Sequence, residues 1–407
     1  LLWPFCVLKR SNDGLRILIA LTYYRPHYSG LTIYTERLAR ALVARGHQVT
    51  VLTSRFDPKM PAVEMQNGVQ VVRPWVLMRV SKGVLMPQMP FWAVRLIRQA
   101  DVVNLHVPQL DAAPIALLAR AIGRPVVLTY HCDLHLPKGA IHWLANQASH
   151  FANRISSAAA QVIVTNTRDY AEQSQFLKHR LAKVMVIPPP AELPTVSEQD
   201  VQSFCERYHI EANRPVIGMV ARLATEKGAE YVVEAMPKVL ERYPQAQLLF
   251  VGQYQNVLGE EAYAQRLQPG IERLGTAWRF LGVLTPQDLA AFYHVCRLTV
   301  LPSINATESF GMVQVEAMMS GTPVVASDLP GVRQPVQSTG MGLIVPPMDA
   351  DALAQAMLRV LDQPQAFAGD VAMVRQRFAP QTVAGQYEAL FYELAEANRQ
   401  GQVGRAG

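Results

Sequence analysis

With 407 residues, 50% of them hydrophobic and 17% charged, the chain can bury a large core and is too long for most single domains, which predicts two. Its 38 basic against 32 acidic residues leave a net charge of +6. The basic residues are scattered, with no Lys/Arg block and no zinc-finger or RNA-binding signature, so nucleic acid is excluded as the natural partner.

Residues 1–15 read as a loose N-terminal extension. Leu1 to Leu8 are apolar, but Lys9 and Arg10 follow them rather than precede them, and no small-residue cleavage site marks a leader. No stretch of the chain approaches the roughly 18 apolar residues of a membrane span. Cys6, Cys132, Cys205 and Cys296 stand far apart without a C-x-x-C pair, the pattern of reduced thiols in a cytoplasm.

From Arg16 the chain reads as repeated βα units. Residues 17–23 form a buried-strand run, 32–44 carry helical spacing through Leu38 and Leu42, and 48–53 form the next strand. Further strands are predicted over 69–73, 102–106, 126–131 and 162–166. Their apolar runs are near-continuous rather than alternating, as parallel strands covered on both faces require. Residues 90–99 read as a short helix opening at Pro90, with Phe91, Trp92, Val94, Leu96 and Ile97 beside Arg95 and Arg98. Together with Arg79 and Lys82 it would either touch an acidic membrane peripherally or, as most such helices do, pack on the first sheet.

Pro188, Pro189 and Pro190 and the polar stretch after them interrupt the pattern, and residues 191–212 are read as a linker. The βα alternation restarts over 216–220, 247–251, 279–281, 298–301 and 324–327, a second doubly wound sheet spanning 213–380. Two such domains, 16–190 and 213–380, would face each other across a cleft. Residues 381–407 form a C-terminal helical stretch, either crossing back to the first domain or meeting another subunit, and then a flexible tail.

Two motifs after strands of the second domain carry the chemistry. Arg222-Leu223-Ala224-Thr225-Glu226-Lys227-Gly228 follows its first strand. Arg222 by its planar fork and Lys227 as a point charge could both reach one diphosphate; the plain alternative is a charged loop opening a helix at Gly228. Glu308-Ser309-Phe310-Gly311-Met312-Val313-Gln314-Val315-Glu316 follows the run 298–303. A helix beginning near Gly311 leaves Glu308 in the entering loop and Glu316 inside the helix, with unpaired N–H groups between them suited to a phosphate. One carboxylate would then hold sugar hydroxyls and the other ribose hydroxyls. The competing reading is two solvated glutamates near a helix start.

The Ala221-Arg222-Leu223-x-x-Glu226-Lys227-Gly228 run and the Glu308-x7-Glu316 run are about two βα units apart, and Gly342-Leu343-Ile344-Val345-Pro346-Pro347 follows. In this order the chain resembles glycosyltransferase family 4, the retaining GT-B transferases, over almost its whole length from Arg16. The resemblance implies an α/β fold of two Rossmann-like domains, the first for the acceptor and the second for a nucleotide-sugar donor. It implies that Arg222 and Lys227 bind the donor diphosphate, Glu308 holds the transferred sugar and Glu316 binds the ribose. Ser309, Phe310, Gly311, Met312 and Val313 would contact sugar and phosphate, mainly through backbone N–H groups. Ser29-Gly30 stands where the family usually carries two glycines, so Gly30 alone would keep the close backbone approach there; a plain strand-to-helix turn is the competing reading. His131, in Thr129-Tyr130-His131-Cys132-Asp133-Leu134-His135, falls where family members carry a histidine beside the sugar being transferred, and Asp133 would orient the acceptor or be an exposed loop aspartate.

His131, Asp133 and His135 alternate and could mimic a metal site, but no further ligand is identifiable, and no metal or other cofactor is expected. Asp349-Ala350-Asp351 has the form of a metal-binding D-x-D, yet Leu353, Met357 and Val360 follow at helical spacing, so it reads as a helix start. The expected function is metal-independent, retaining transfer of a hexose-type sugar from a UDP- or GDP-linked donor to a lipid, lipid-linked or polysaccharide-precursor acceptor, in the cytoplasm or at the inner face of its membrane. A sugar-nucleotide epimerase of the same fold and a non-catalytic sugar-nucleotide-binding protein are the alternatives. G-x-S-x-G, H-E-x-x-H and the P-loop pattern are absent from the sequence.

Overall fold

The structure is a computed structural model that describes residues 14–80, 83–133, 140–211 and 214–406. The chain divides into two compact units, one comprising Leu1–His131, Leu136–Val164 and Val383–Gly407, the other Cys132–His135 and Thr165–Thr382. Of the expected N-terminal extension, residues 1–13 lie outside the described residues. Leu15 already belongs to the fold, being 2% exposed with its N–H donating to Nδ1 of His47 at 3.0 Å.

The strands of unit 1 are β1 (Arg16–Ala20), β2 (Gln48–Leu52), β3 (Val63–Gln66), β4 (Val69–Val72), β5 (Met78–Val80), β6 (Gly83–Leu85), β7 (Val102–Val107), β8 (Val126–Tyr130) and β9 (Val162–Thr165). The sheet order across them is β9-β8-β7-β1-β2-β4-β3, while β5 and β6 form a separate hairpin. All these pairs are parallel except β3 with β4 and the hairpin. The central strands are those with largely apolar runs; all six residues of β7 are buried, Asn104 and His106 included. β3 escapes a reading of apolar runs because Glu64 and Gln66 alternate with exposed Val63 and Met65 at the sheet edge. Within unit 1, Tyr387 of the C-terminal helix (Pro380–Ala406) hydrogen-bonds Tyr34 at 2.8 Å. Glu388 there pairs with Arg45 and, at 3.2 Å, with His47.

Unit 2 contains β10 (Val184–Val186), β11 (Val216–Val220), β12 (Gln247–Val251), β13 (Trp278–Gly282), β14 (Leu298–Leu301), β15 (Val324–Ser327) and β16 (Gly342–Val345). Six of these form one sheet in the order β13-β12-β11-β14-β15-β16, parallel throughout. Alternate residues feed two separate cores: Leu249 and Val251 of β12 pack with Phe204, Phe292 and Val374, Leu248 and Phe250 with Val232, Leu267 and Met357. Helices thus cover both faces, as an all-parallel sheet requires.

Of the expected linker 191–212, the described residues 191–211 are instead part of this unit. Helix Glu198–Tyr208 starts in a capping box between Ser197 and Asp200 and buries Phe204 in the core, with Ala191 and Leu193 beside it. Its polar residues, which gave the stretch a linker-like composition, form the helix's outer face. The compact units accordingly divide at positions other than the proline run.

Candidate active site

In unit 2, β11 is the first strand of the sheet and lies between β12 and β14. The chain winds outward on either side of it, so the crevice beyond the carboxyl ends of β11 and β14 is the switch point where open parallel sheets bind ligands. Both motifs issue from those two ends.

The loops are locked to each other. Gly228 has φ +67°, and a Cβ there would lie 2.1 Å from the carbonyl oxygen of Pro302, so only glycine permits the approach. The N–H of Ile304 donates to the carbonyl of Glu226 at 3.1 Å, and Lys227 Nζ donates to Glu308 Oε2 at 2.6 Å. Two segments eighty residues apart therefore present one cation and one carboxylate side by side, both largely shielded. Arg222 is more open, with about half of its side chain exposed and Glu226 accepting from it at 3.0 Å. Gly228 is also the cap residue of helix Ala229–Arg242, so the loop reading and the helix-start reading describe the same residues.

The second loop is held rigid from beneath. Gly311, at φ +76°, caps helix Met312–Met318, and a Cβ there would meet Leu301 Cδ2 at 2.3 Å. Gln314 Nε2 donates to the carbonyls of Phe310 at 2.5 Å and Val332 at 2.8 Å. Phe310 is buried against Phe378, and Ser309 is buried with its Oγ 3.4 Å from Asn166 Nδ2. A Cβ at Gly331 would fall 2.1 Å from the Ser309 carbonyl oxygen. The N–H of Gly331 donates to Asp169 at 2.8 Å, and Arg333 grips the same carboxylate at 2.6 and 3.0 Å, which pulls that carboxyl below the usual carboxylate range. Gln314, Asp169, Gly331 and Arg333 escaped the sequence reading. Only Gln314 lay inside a motif, where its polarity on a buried helical position was the available signal.

Glu308 stands in the entering loop and Glu316 inside the helix. Glu316 is no solvated glutamate: it is 6% exposed, with the Tyr293 hydroxyl 3.5 Å from Oε2. Met312 and Val313 occupy the first helical turn and are half-buried. The helix runs for seven residues, so its attraction for an anion comes from first-turn N–H groups rather than from a long dipole.

Unit 1 presents a different chemistry. Ser29 is the cap of helix Gly30–Ala44, its Oγ accepting from the Thr32 N–H at 3.2 Å; serine takes the glycine's place there with a capping role. His131, just past β8, has Nε2 3.0 Å from Nδ1 of His106 on β7 and packs edge-on to Tyr34 with ring centroids 4.9 Å apart. Burial pushes the His131 pKa down to about 3 and that of His106 well below its ordinary value, assisted by the neighbouring imidazole. Both rings are neutral at physiological pH. Asn104 and His106 share one face of β7 inside an otherwise apolar run, a two-residue polar spacing that could have flagged them.

Asp133 belongs to unit 2 and is buried, correcting its reading as an exposed loop residue. Its carboxylate accepts from Ser174 Oγ at 2.8 Å and the Gln175 N–H at 3.0 Å, so it fastens the segment 174–175. His135 lies outside the described residues. Asp349 caps helix Ala350–Asp362, its Oδ1 accepting from the Ala352 N–H at 2.9 Å. Helix Met89–Gln99 buries Met89, Ala93, Leu96 and Ile97 and leaves Phe91 65% exposed.

Comparison with known proteins bears on both halves. The family model for glycosyl transferases group 1 matches residues 202–376, and that for the glycosyl transferase 4-like domain matches residues 29–190. The chain is 26% identical to a phosphatidyl-myo-inositol mannosyltransferase of Mycolicibacterium smegmatis, over 89% of each chain. It is 27% identical to an uncharacterized glycosyltransferase of Methanocaldococcus jannaschii, over 85% of this chain and 89% of the other. Among solved structures, Anabaena HepE in complex with UDP superposes with a TM-score of 0.71 at 23% identity, covering 93% of this chain and all of that one. Sucrose-phosphate synthase from Thermosynechococcus elongatus gives 0.70 at 22% identity, covering 94% of this chain and all of that one.

Proposed function

The chain belongs to the group 1, family 4 glycosyltransferases of the GT-B fold, and from that premise we propose that it transfers a hexose-type sugar from a UDP- or GDP-linked donor with retention at the anomeric carbon and without a metal ion. The observation that carries this reading is the Lys227–Glu308 pair joining two loops at the switch point of unit 2. In this reading the donor diphosphate takes Lys227 and Arg222 as counter-ions, and the freed Glu308 carboxylate accepts from sugar hydroxyls. The half-exposed Arg222–Glu226 pair contributes little to stability, so giving up that partner for a charged ligand costs little; the shielded Lys227–Glu308 pair is exchanged only for a ligand that offers Lys227 a full counter-charge and Glu308 hydroxyl donors. Glu316 accepts from the ribose, and first-turn N–H groups of Met312 and Val313 meet the phosphate or sugar.

The bond from the anomeric carbon to the diphosphate oxygen breaks. The acceptor oxygen attacks from the face the diphosphate leaves, and the departing phosphate oxygen takes the acceptor's proton. Arg222 and Lys227 stabilise the charge that builds on the leaving group, the task a metal ion performs elsewhere. To His131 and the Gly30 backbone we assign the roles the family resemblance implies, beside the transferred sugar and at a close backbone approach to phosphate or sugar.

For the acceptor, the proposed class is a lipid, lipid-linked sugar or polysaccharide precursor. Unit 1 exposes Leu77, Met78, Leu85 and Phe91, and Arg95 and Arg98 are exposed on the helix that carries Phe91. This apolar and basic surface favours contact with an anionic bilayer. No helix among the described residues is long and apolar enough to cross one.

The test is nucleotide release from a panel of UDP-, GDP- and ADP-sugars in EDTA, with and without lipid extract, followed by NMR assignment of the product anomer. Selective release that survives EDTA, stimulated by lipid and giving a retained anomer, is expected. Release abolished by EDTA overturns metal independence, an inverted anomer overturns retention, and silence from every donor overturns the donor assignment.

A further inference from the structure

We infer that Tyr34, Tyr387, Thr129, Asn104 and His106 form a hydrogen-bond chain of fixed direction that holds His131 in its Nδ1–H tautomer, which makes His106 a positioning residue for His131. Every link lies within unit 1. Tyr34 and Tyr387 hydroxyls are 2.8 Å apart, Tyr387 and Thr129 hydroxyls 3.2 Å, Thr129 Oγ1 and Asn104 Oδ1 2.8 Å, Asn104 Nδ2 and His106 Nε2 3.2 Å, and His106 Nδ1 and His131 Nε2 3.0 Å.

Two ends of the chain set its direction. Tyr34 is 2% exposed, and among the described residues the Tyr387 oxygen is the acceptor within reach of its hydroxyl. A buried O–H without an acceptor costs more than an unused lone pair, so Tyr34 donates. Tyr387 must then donate to Thr129, and Thr129 to the Asn104 carbonyl. That turns the Asn104 amide N–H toward Nε2 of His106, which accepts; a neutral His106 therefore carries its proton on Nδ1.

Thr35 gives the same answer from the other side. Its hydroxyl donates to the Leu31 carbonyl at 2.9 Å, so the Oγ1 atom 3.1 Å from His106 Nδ1 acts there as an acceptor. The Nδ1–H of His106 is thus shared between Thr35 Oγ1 and His131 Nε2. His131 Nε2 accepts, and the proton His131 can give to a substrate oxygen sits on Nδ1. A buried network with every member satisfied is rigid, and this one runs from the C-terminal helix to the histidine. If the Asn104 amide were reversed, every donor would reverse and His131 would carry its proton on Nε2.

The role of His131 at the transferred sugar rests on the function proposed above; the tautomer does not. Long-range ¹⁵N–¹H correlation of the imidazoles at pH 7.5 should show Nδ1–H for both His131 and His106 in the unaltered protein. In His106→Phe the donor is gone, and His131 should revert to Nε2–H. His106→Asn, which restores an amide donor near the place of Nδ1, should return it to Nδ1–H.

With turnover established, kcat for sugar transfer should fall roughly tenfold in His106→Phe and recover in His106→Asn, the size of one hydrogen bond. Binding of the free nucleotide to unit 2 should change less than twofold. An Nε2–H His131 in the unaltered protein, or Nδ1–H persisting in His106→Phe, overturns the chain. A switched tautomer with unchanged turnover supports the chain and overturns the sugar-contact role of His131.

Discussion

The carboxyl ends of the two sheets are furnished in opposite ways. In unit 2 the residues beyond β11 and β14 are charged and paired, Lys227 with Glu308 and Arg222 with Glu226, and at least partly open to solvent. In unit 1 Asn104, His106 and Thr129 at the ends of β7 and β8 are uncharged and buried, and with half-buried His131 they are joined by hydrogen bonds into the helix Pro380–Ala406. A half-exposed pair such as Arg222–Glu226 contributes little and is easily given up, whereas a neutral network in a low-dielectric interior keeps its donors and acceptors where they are. Under the proposed function, one end takes up and releases an anion and the other presents a fixed proton to an uncharged hydroxyl.

The comparison breaks most visibly at Lys227. Lys227→Ala removes the cation of the shielded pair and strands Glu308, so kcat for nucleotide release should fall by about 10²–10³-fold, as for loss of one preorganised donor to a developing charge. Arg222→Ala should cost only about tenfold, because that side chain is half-exposed and already shared with Glu226. Equal losses in steady-state kinetics would mean the two cations do the same task.

A smaller effect, on stability, separates packing from conformation at Gly228, with Gly46 in unit 1 as the reference. Gly228→Ala meets both a φ of +67° and the Pro302 carbonyl at 2.1 Å, whereas Gly46→Ala, at φ +91°, has no atom within 4 Å. Gly46→Ala should cost about 1–2 kcal/mol from backbone strain alone. Gly228→Ala should cost more, by about 1–3 kcal/mol for the collision, and should also raise the donor KM because it parts the loops. Urea midpoints for the two variants, alongside the donor KM, check this.

In unit 1 the corresponding lever is pH. The depressed pKa of His131, about 3 against an ordinary 6.5, means the unfolded chain takes up a proton that the folded one refuses. Stability from this group is complete above pH 6.5 and is lost as pH falls from 6.5 toward 3, by about 2 kcal/mol at pH 5. His106 shifts the same way. Asp111 opposes it: burial raises that carboxyl to about 6, so the folded state gains a proton first and is favoured as pH falls from 6 to its unfolded value. His131→Asn should therefore narrow the gap between urea midpoints measured at pH 7.5 and pH 5, leaving the Asp111 contribution in place.

Legibility in the sequence followed the same divide. The strands of both sheet centres could be read because near-continuous apolar runs encode burial on both faces, and the charged motifs because Arg222, Lys227, Glu308 and Glu316 are conspicuous after such runs. What was not legible depends on distant partners. β3 is an edge strand whose polar residues mask it, and helix Glu198–Tyr208 looks like a linker until Phe204 is seen in the core. Asp133 reads as a loop aspartate until Ser174 and Gln175 close on it. His106 and Asn104 were inside a predicted strand, yet their meaning needs Thr129, Thr35 and a tyrosine more than 250 positions away.

Ser29 offers the smallest and finest test of the contrast, since it stands in unit 1 at a place where a glycine would suit an approaching phosphate. Its Oγ instead caps the helix Gly30–Ala44. Ser29→Ala should lose about 1 kcal/mol of stability and Ser29→Gly only a few tenths. If the anion-binding task lies with the charged residues of unit 2, both variants should keep nucleotide release within about twofold, the difference being too small to separate from a lost cap. Faster release in Ser29→Gly at unchanged stability would show that the backbone of this loop approaches the donor closely enough for a side chain to hinder it, and would move part of the anion-binding task from the charged end of unit 2 to the first turn of this helix.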